Sequence, residues 1–313
     1  MDDTAAPRFT IDQVDFQSPM ADWKPRLADL GRRRHLSYSL DFDTRALLLE
    51  DPAPGWDEEP KRLHLENRAS LIEELGQEFG TRYLDGKLKN FAAIKTKPFS
   101  ILAYHNRLFD EVRTAFVMGA YYPALVAACA LGERTLNHLI LDLRGHYSHT
   151  PEYKKIARKD SFDNWTLVID TLKTWGVLLP AAEAPFRALM KLRHNSIHFN
   201  AGTYTTLRDD ALAAVLHMRE IIEQQFTSWG LRPWFIEGTA GHIFIKRDWE
   251  DDPFVKTFYL PQCPLVGPNF AISFEGGLKY HDHPDYGDGA WSDQEFATAF
   301  NTRSPEAVFK TGS

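Results

Sequence analysis

Residues 192–200 read LRHNSIHFN and crowd Arg193, His194, Asn195 and His198 into six positions. Histidine has a reference pKa of about 6.5, so it can take up and return a proton near neutrality. Arginine stays charged, and its planar fork matches two oxygens of a phosphate or carboxylate. Together these groups suit cleavage of RNA without a metal. That reaction needs a 2′-hydroxyl deprotonated, a leaving oxygen protonated, and the charge growing on phosphorus offset. His198 is the candidate proton-transfer group and Arg193 the candidate charge clamp, with His194 or Asn195 orienting the substrate or the imidazole.

Helical geometry constrains this set. At roughly 100° per residue, Arg193 and His198 stand about 140° apart around an ideal helix, whereas His194 and His198 are about 40° apart. One chain therefore presents the Arg193/His198 pair awkwardly. Two copies related by a twofold axis can gather an acid, a base and two guanidiniums around one phosphate, so a dimer is expected. The competing expectation is structural: Arg and His at the end of a helix can cap carbonyls or pair with Glu133 or Asp209.

The elements that must hold this stretch lie between Lys97 and about Trp229. The spacing predicts a helix from Pro98 through Ile101, Phe109, Val112 and Phe116, stopped at Gly119. A second opens at Pro123 and runs through Leu125, Ala128, Leu136 and Ile140 to Leu143. A third is capped by Ser161, carries Phe162, Trp165, Val168 and Leu172, and stops near Gly176. A fourth runs from Pro185 into the 192–200 stretch. A last long helix through Leu207, Val215 and Ile222 follows, with Thr206 and Asp209 at capping-box spacing. Five such helices read as a bundle.

The fold expected is mainly α, with a central helical bundle at 97–229, a mixed N-terminal region at 1–96 and a small β-rich C-terminal region at 230–313. In the first region LSYSLDF alternates like a strand, and RASLIEELGQEFG reads as a helix ending at Gly80. In the last, HIFIK, KTFYL and NFAISF carry β-branched and aromatic residues, and FEGGLKY resembles a hairpin turning at Gly276 and Gly277.

Composition narrows the function classes. With 43% hydrophobic and 25% charged residues the chain is expected to be globular, and a net charge of −7 argues against broad coating of nucleic acid while leaving room for a local basic site. Two cysteines, Cys129 and Cys263, and an acidic start without an apolar core point to a reducing cytoplasm. The longest nearly apolar run, AYYPALVAACALG, is short of a bilayer span, so no membrane is expected.

Other motifs fail on spacing. In GTRYLDGK five residues separate Gly80 from Gly86 where a phosphate loop has four, and Leu88 stands where a magnesium-binding hydroxyl is required. The chain lacks G-x-S-x-G, H-E-x-x-H and a dinucleotide-type glycine fingerprint. YHDHPDYGDG collects His281, Asp282, His283, Asp285 and Asp288, but its Pro and Gly predict a solvated polar loop over a metal site. GRRRH at 31–35 predicts a solvated basic face. No cofactor and no metal are expected.

Arg193 followed by a polar residue, with His198 after four intervening positions, resembles the R-x(4–6)-H signature of HEPN domains. Arg144/His149 and Arg187/His194 have similar spacing. However, RGHYSHTP reads as a helix C-terminus, and Arg187 lacks the polar neighbour. From AYYPALVAACALGERTLNHLI through FRALMKLRHNSIHF to DDALAAVLHMREIIEQQF, about 130 residues look like a bacterial HEPN-type helical domain. That resemblance implies a dimeric, metal-independent endoribonuclease, often a toxin or an antiphage defence protein, with RNA as substrate and an antitoxin or regulator as possible partner. In related toxins a tyrosine two positions after the histidine is modified, whereas Asn200 stands there in this chain. Glu133 and Arg134, on the second helix, are expected to approach the site. Rival expectations are a non-catalytic binding or assembly module and a nucleotide-binding regulator acting beside a nucleotidyltransferase.

Overall fold

The computed structural model describes residues 27–39, 41–197, 202–273 and 279–304. The protein is mainly helical with small antiparallel sheets, as the hydrophobic periods predict. The chain divides into two compact units, 41–227 and the pair of segments 1–40 and 228–313. The first 96 residues thus belong partly to each unit, because the strand near residue 35 pairs with strands from the C-terminal third, while the chain from 41 onward packs among helices.

The helical unit holds α1 (Glu58–Phe79), α2 (Leu84–Ala93), α3 (Ala103–Val117), α4 (Tyr121–Leu143), α5 (Tyr153–Ile156), α6 (Trp165–Thr174), α7 (Pro180–Ile197) and α8 (Thr203–Gln225). Helix α4 is its axis and packs against α3, α6, α7 and α8. Its stripe Leu125, Ala128, Leu131, Leu136, Leu139, Ile140 and Leu143 is buried, and each fully buried leucine or isoleucine contributes roughly 1.5–3 kcal/mol. Among the described residues α4 alone is long and apolar enough to cross a membrane, and 56% of its most apolar window is buried inside the protein, as expected for a bundle's core helix.

Several helix ends differ from the periodicity, each for a local reason. Helix α1 begins ten residues before Arg68, because its first turns are held by Arg62 pairing with Glu59 and Glu66 and carry no continuous apolar stripe. It stops at Gly80, whose φ of 78° suits glycine. Helix α3 starts at Ala103, not Pro98, since the Ile101 amide donates to the Phe226 carbonyl (3.0 Å) and holds the preceding segment against the end of α8. Helix α6 is capped by Asn164, which accepts from the Leu167 amide, and not by Ser161. Helix α7 begins at Pro180, with Pro185 inside it. Thr206 lies within α8 and bonds Asp210 (2.6 Å), so the capping box expected of Thr206 and Asp209 is absent.

In the second unit β1 (Arg34–Ser37) is the middle strand of an antiparallel sheet between β2 (Ile243–Phe244) and β3 (Leu265–Val266), and β4 (Ala271–Ser273) pairs antiparallel with β5 (Lys279–His281). Helix α9 (Asp293–Asn301), with a complete Ser292/Glu295 capping box, puts Phe296 and Phe300 into a core with Leu36, Phe244 and Phe270. The turn expected at Gly276 and Gly277 lies outside the described residues. The stretch expected as a strand at KTFYL is a π-helical turn, Val255–Tyr259. Asp252 accepts from the Phe254 and Val255 amides at its start, and Tyr259 turns inward against Trp234 (5.3 Å), so packing overrides strand propensity.

The basic run at 31–35 is not a solvated face. Arg33 and Arg34 are fully buried. Arg33 pairs with Asp29 (2.8 Å) and Asp282 (2.5 Å) and lies over the Tyr286 ring, while Arg34 pairs with Asp293 (2.7 Å). Asp282 also accepts from the Tyr286 hydroxyl and the Gly267 amide. The 280–289 loop, expected to be solvated, is therefore pinned to the interior through Asp282, because a buried guanidinium requires carboxylate partners. Burial pushes the Asp282 carboxyl up despite these bonds. Among the described residues no group of three or more His, Cys, Asp or Glu side chains is placed to hold a metal.

Candidate functional site

The fold brings Arg193 of α7 against Glu133 of α4. Its Nη2 lies 2.7 Å from Glu133 Oε2, and the same oxygen accepts from Trp165 Nε1 of α6 at 3.2 Å. The guanidinium carbon stands 5.8 Å from the Trp165 ring centroid, within cation–π range. Three helices thus meet at one carboxylate. Both charged side chains keep some solvent access, 27% for Arg193 and 31% for Glu133, so the pair is partly screened and guanidinium donors remain for a further anion.

Close packing at Gly132 makes this convergence possible. A Cβ there would lie 2.6 Å from Leu189 Cδ2 and 2.8 Å from Trp165 Cη2, so only glycine lets α6 and α7 approach α4 this closely. Behind Arg193, buried Ser196 donates to the Arg193 carbonyl (3.4 Å). Burial pushes the neighbouring Cys129 thiol up to about 12, with Ser196 and Arg193 opposing, so Cys129 is no nucleophile at neutral pH.

Glu133 also lines a cleft of about 370 Å³ along α4, shared with Arg134, Asn137, His138, Asp142 and the 160–161 loop. Asn137 fixes that loop by donating to the Phe162 carbonyl (2.9 Å) and accepting from the Phe162 amide (2.7 Å), which is why Phe162 lies outside α6. His138 and Arg134 are exposed on the rim, and His138 Nδ1 is 3.6 Å from Asp142 Oδ2. Beneath His138, its ring centroid 5.0 Å away, His105 is buried, and burial pulls it down to about 4, with the charges of His138 and Arg134 adding to the effect.

Of the residues expected to act together, Arg193 and Glu133 are in contact, and His194 and Asn195 are exposed at the end of α7. His198 and Asn200 lie outside the described residues. Asp209 faces Arg208 (3.7 Å) rather than Arg193. Sequence reasoning placed Trp165 only in a core stripe and passed over Asn137 and His138. The recurrence of polar residues at four-residue spacing, Glu133/Asn137 and Arg134/His138/Asp142, marks this face of α4 and was the available signal.

No family model, curated protein or solved structure matches this chain. Function must therefore be argued from the site itself. It consists of a partly exposed guanidinium, paired with a carboxylate and set against an indole, beside a polar cleft lined by Glu133, Asp142 and Asp160 as well as Arg134 and His138.

Proposed function

We propose that the protein is a metal-independent endoribonuclease of HEPN type, acting on RNA in the cytoplasm as a toxin or antiphage defence protein. The observation that carries this reading is the anchoring of Arg193 by Glu133 and Trp165 at the end of α7, with donors left to meet a phosphate. In the reaction an imidazole, assigned to His198, removes the 2′-hydroxyl proton. The 2′-oxygen attacks phosphorus, and the P–O5′ bond breaks. The departing 5′-oxygen takes a proton from a second imidazole, leaving a 2′,3′-cyclic phosphate and a 5′-hydroxyl. Arg193 neutralises the charge on the phosphoryl oxygens as the transition state forms. Two subunits pool the acid, the base and two guanidiniums, with His194 and Asn195 orienting the substrate, and an antitoxin or regulator holds the activity in check.

The composite site gives a direct test. Arg193→Ala and His198→Ala are each expected to lack activity on total RNA in EDTA, and an excess of either variant should suppress the wild-type protein by forming mixed pairs that lack one of the pooled groups. Wild-type protein that leaves RNA intact refutes the reading. A non-catalytic assembly module is the second reading, favoured by one observation: Arg193 already has a carboxylate partner. It predicts that both substitutions alter only stability or association.

A further inference from the structure

Between α4 and α6 the chain carries a concentration of positive charge that the site above does not use. Residues 144–160 hold Arg144, Lys154, Lys155, Arg158 and Lys159 against Glu152 and Asp160, a net of +3 in a chain whose total is −7. Lys154, Lys155, Arg158 and Lys159 are all exposed. None of the four forms an ion pair with a described residue, whereas Arg62, Arg187 and Arg219 of this unit are each matched to a carboxylate one turn away. The segment is also held in place. Arg144 Nη1 donates to the carbonyls of Lys159 (2.5 Å) and Ile156 (3.4 Å), and Ile156 is buried beneath it.

Its position gives the charge a use. The segment runs directly into Asp160 and Ser161, which form one wall of the α4 cleft, and Lys159 lies over the Phe162 ring (5.8 Å) that Asn137 ties to α4. A polyanion lying along Lys154–Lys159 therefore meets the cleft that contains Glu133, the anchor of Arg193. Unpaired, closely spaced cations bind phosphates without reading sequence, and a cleft of about 370 Å³ falls in the range of small-ligand sites.

We propose that Lys154, Lys155, Arg158 and Lys159 form a backbone clamp for single-stranded RNA, which delivers one nucleotide of the strand into the α4 cleft. The choice of RNA rests on the nuclease reading, while the clamp itself rests on the placement of charge. Four phosphate contacts to a single strand give a slope of about −3 for log affinity against log salt, or roughly a fifty-fold loss between about 50 and 200 mM.

The test is fluorescence anisotropy of a labelled single-stranded RNA with the full-length protein across that salt range. Replacing all four residues by alanine is expected to make the slope shallower by about 3, leaving only the share owed to contacts such as Arg193. Exchanging lysine and arginine at the same positions (Lys154→Arg, Lys155→Arg, Arg158→Lys, Lys159→Arg) should keep it. An unchanged slope in the alanine variant overturns the proposal, as does displacement of the RNA by lower concentrations of polyglutamate than of unlabelled RNA, which points to an acidic protein partner. RNA bound with the expected slope yet never cut sinks the nuclease reading and leaves the clamp standing. Cleavage by the alanine variant at the wild-type rate, with its slope unchanged, does the reverse.

Discussion

Substitution of Gly132 by alanine probes the packing that places Arg193. The new Cβ would stand 2.6 Å from Leu189 Cδ2 and 2.8 Å from Trp165 Cη2, closer than the 3.4 Å at which ordinary contact begins, by 0.8 and 0.6 Å. Leu189 and Trp165 are 0% and 2% exposed, so neither can swing into solvent. Overpacking of this kind costs about 1–3 kcal/mol, and the helix propensity gained over glycine returns about 1 kcal/mol. With two simultaneous clashes the net expectation is a loss of roughly 1–2 kcal/mol, or about 2–8 °C in Tm for a unit of this size. Gly86, in the first turn of α2 with nothing within 4 Å of its added Cβ, is the internal control: Gly86→Ala should stabilise by up to about 1 kcal/mol. Urea titrations followed by circular dichroism measure both. Two alanine variants that are equally stabilised would refute the close approach of α6 and α7 to α4, and with it the anchoring of Arg193.

Glu133→Gln keeps an acceptor for Trp165 but removes the charge facing Arg193, so stability should fall by less than about 1 kcal/mol while RNA cleavage drops more sharply; parallel denaturation and rate measurements separate the two. His105, pulled down by burial from 6.5 to about 4, binds fewer protons in the folded state, so its contribution is complete above pH 6.5 and is lost as pH falls toward 4. That loss is at most roughly 3 kcal/mol, and stability measured against pH should be flatter over this window in His105→Gln. Asp282→Asn removes one of the carboxylates that meet buried Arg33, which keeps Asp29, and should destabilise the second unit by about 1–3 kcal/mol, read as earlier exposure of β1 and α9 amides in hydrogen exchange.

The bundle was legible because its helices bury one face. The stripes ending at Gly119 and Gly176 stop at those glycines, both at positive φ. Starts were less legible, since α3 and α6 begin where long-range bonds from Phe226 and Asn137 release the chain, and such partners leave no local pattern. The burial of Arg33 and Arg34 was illegible for the same reason: a run of three arginines reads as solvated until Asp282, some 250 residues away, is brought to it. The pairing of Arg193 with Glu133 was legible as the structural alternative, whereas the close approach at Gly132 that permits it emerges only from three packed helices.

The end chemistry of a single synthetic RNA incubated with purified protein in EDTA tests the central claim most directly. The account predicts 2′,3′-cyclic phosphate and 5′-hydroxyl ends from wild-type protein, with Arg193→Ala slower by roughly a hundredfold or more at unchanged helical content. RNA left whole, activity that requires an added metal, or cleavage indifferent to Arg193→Ala would contradict it.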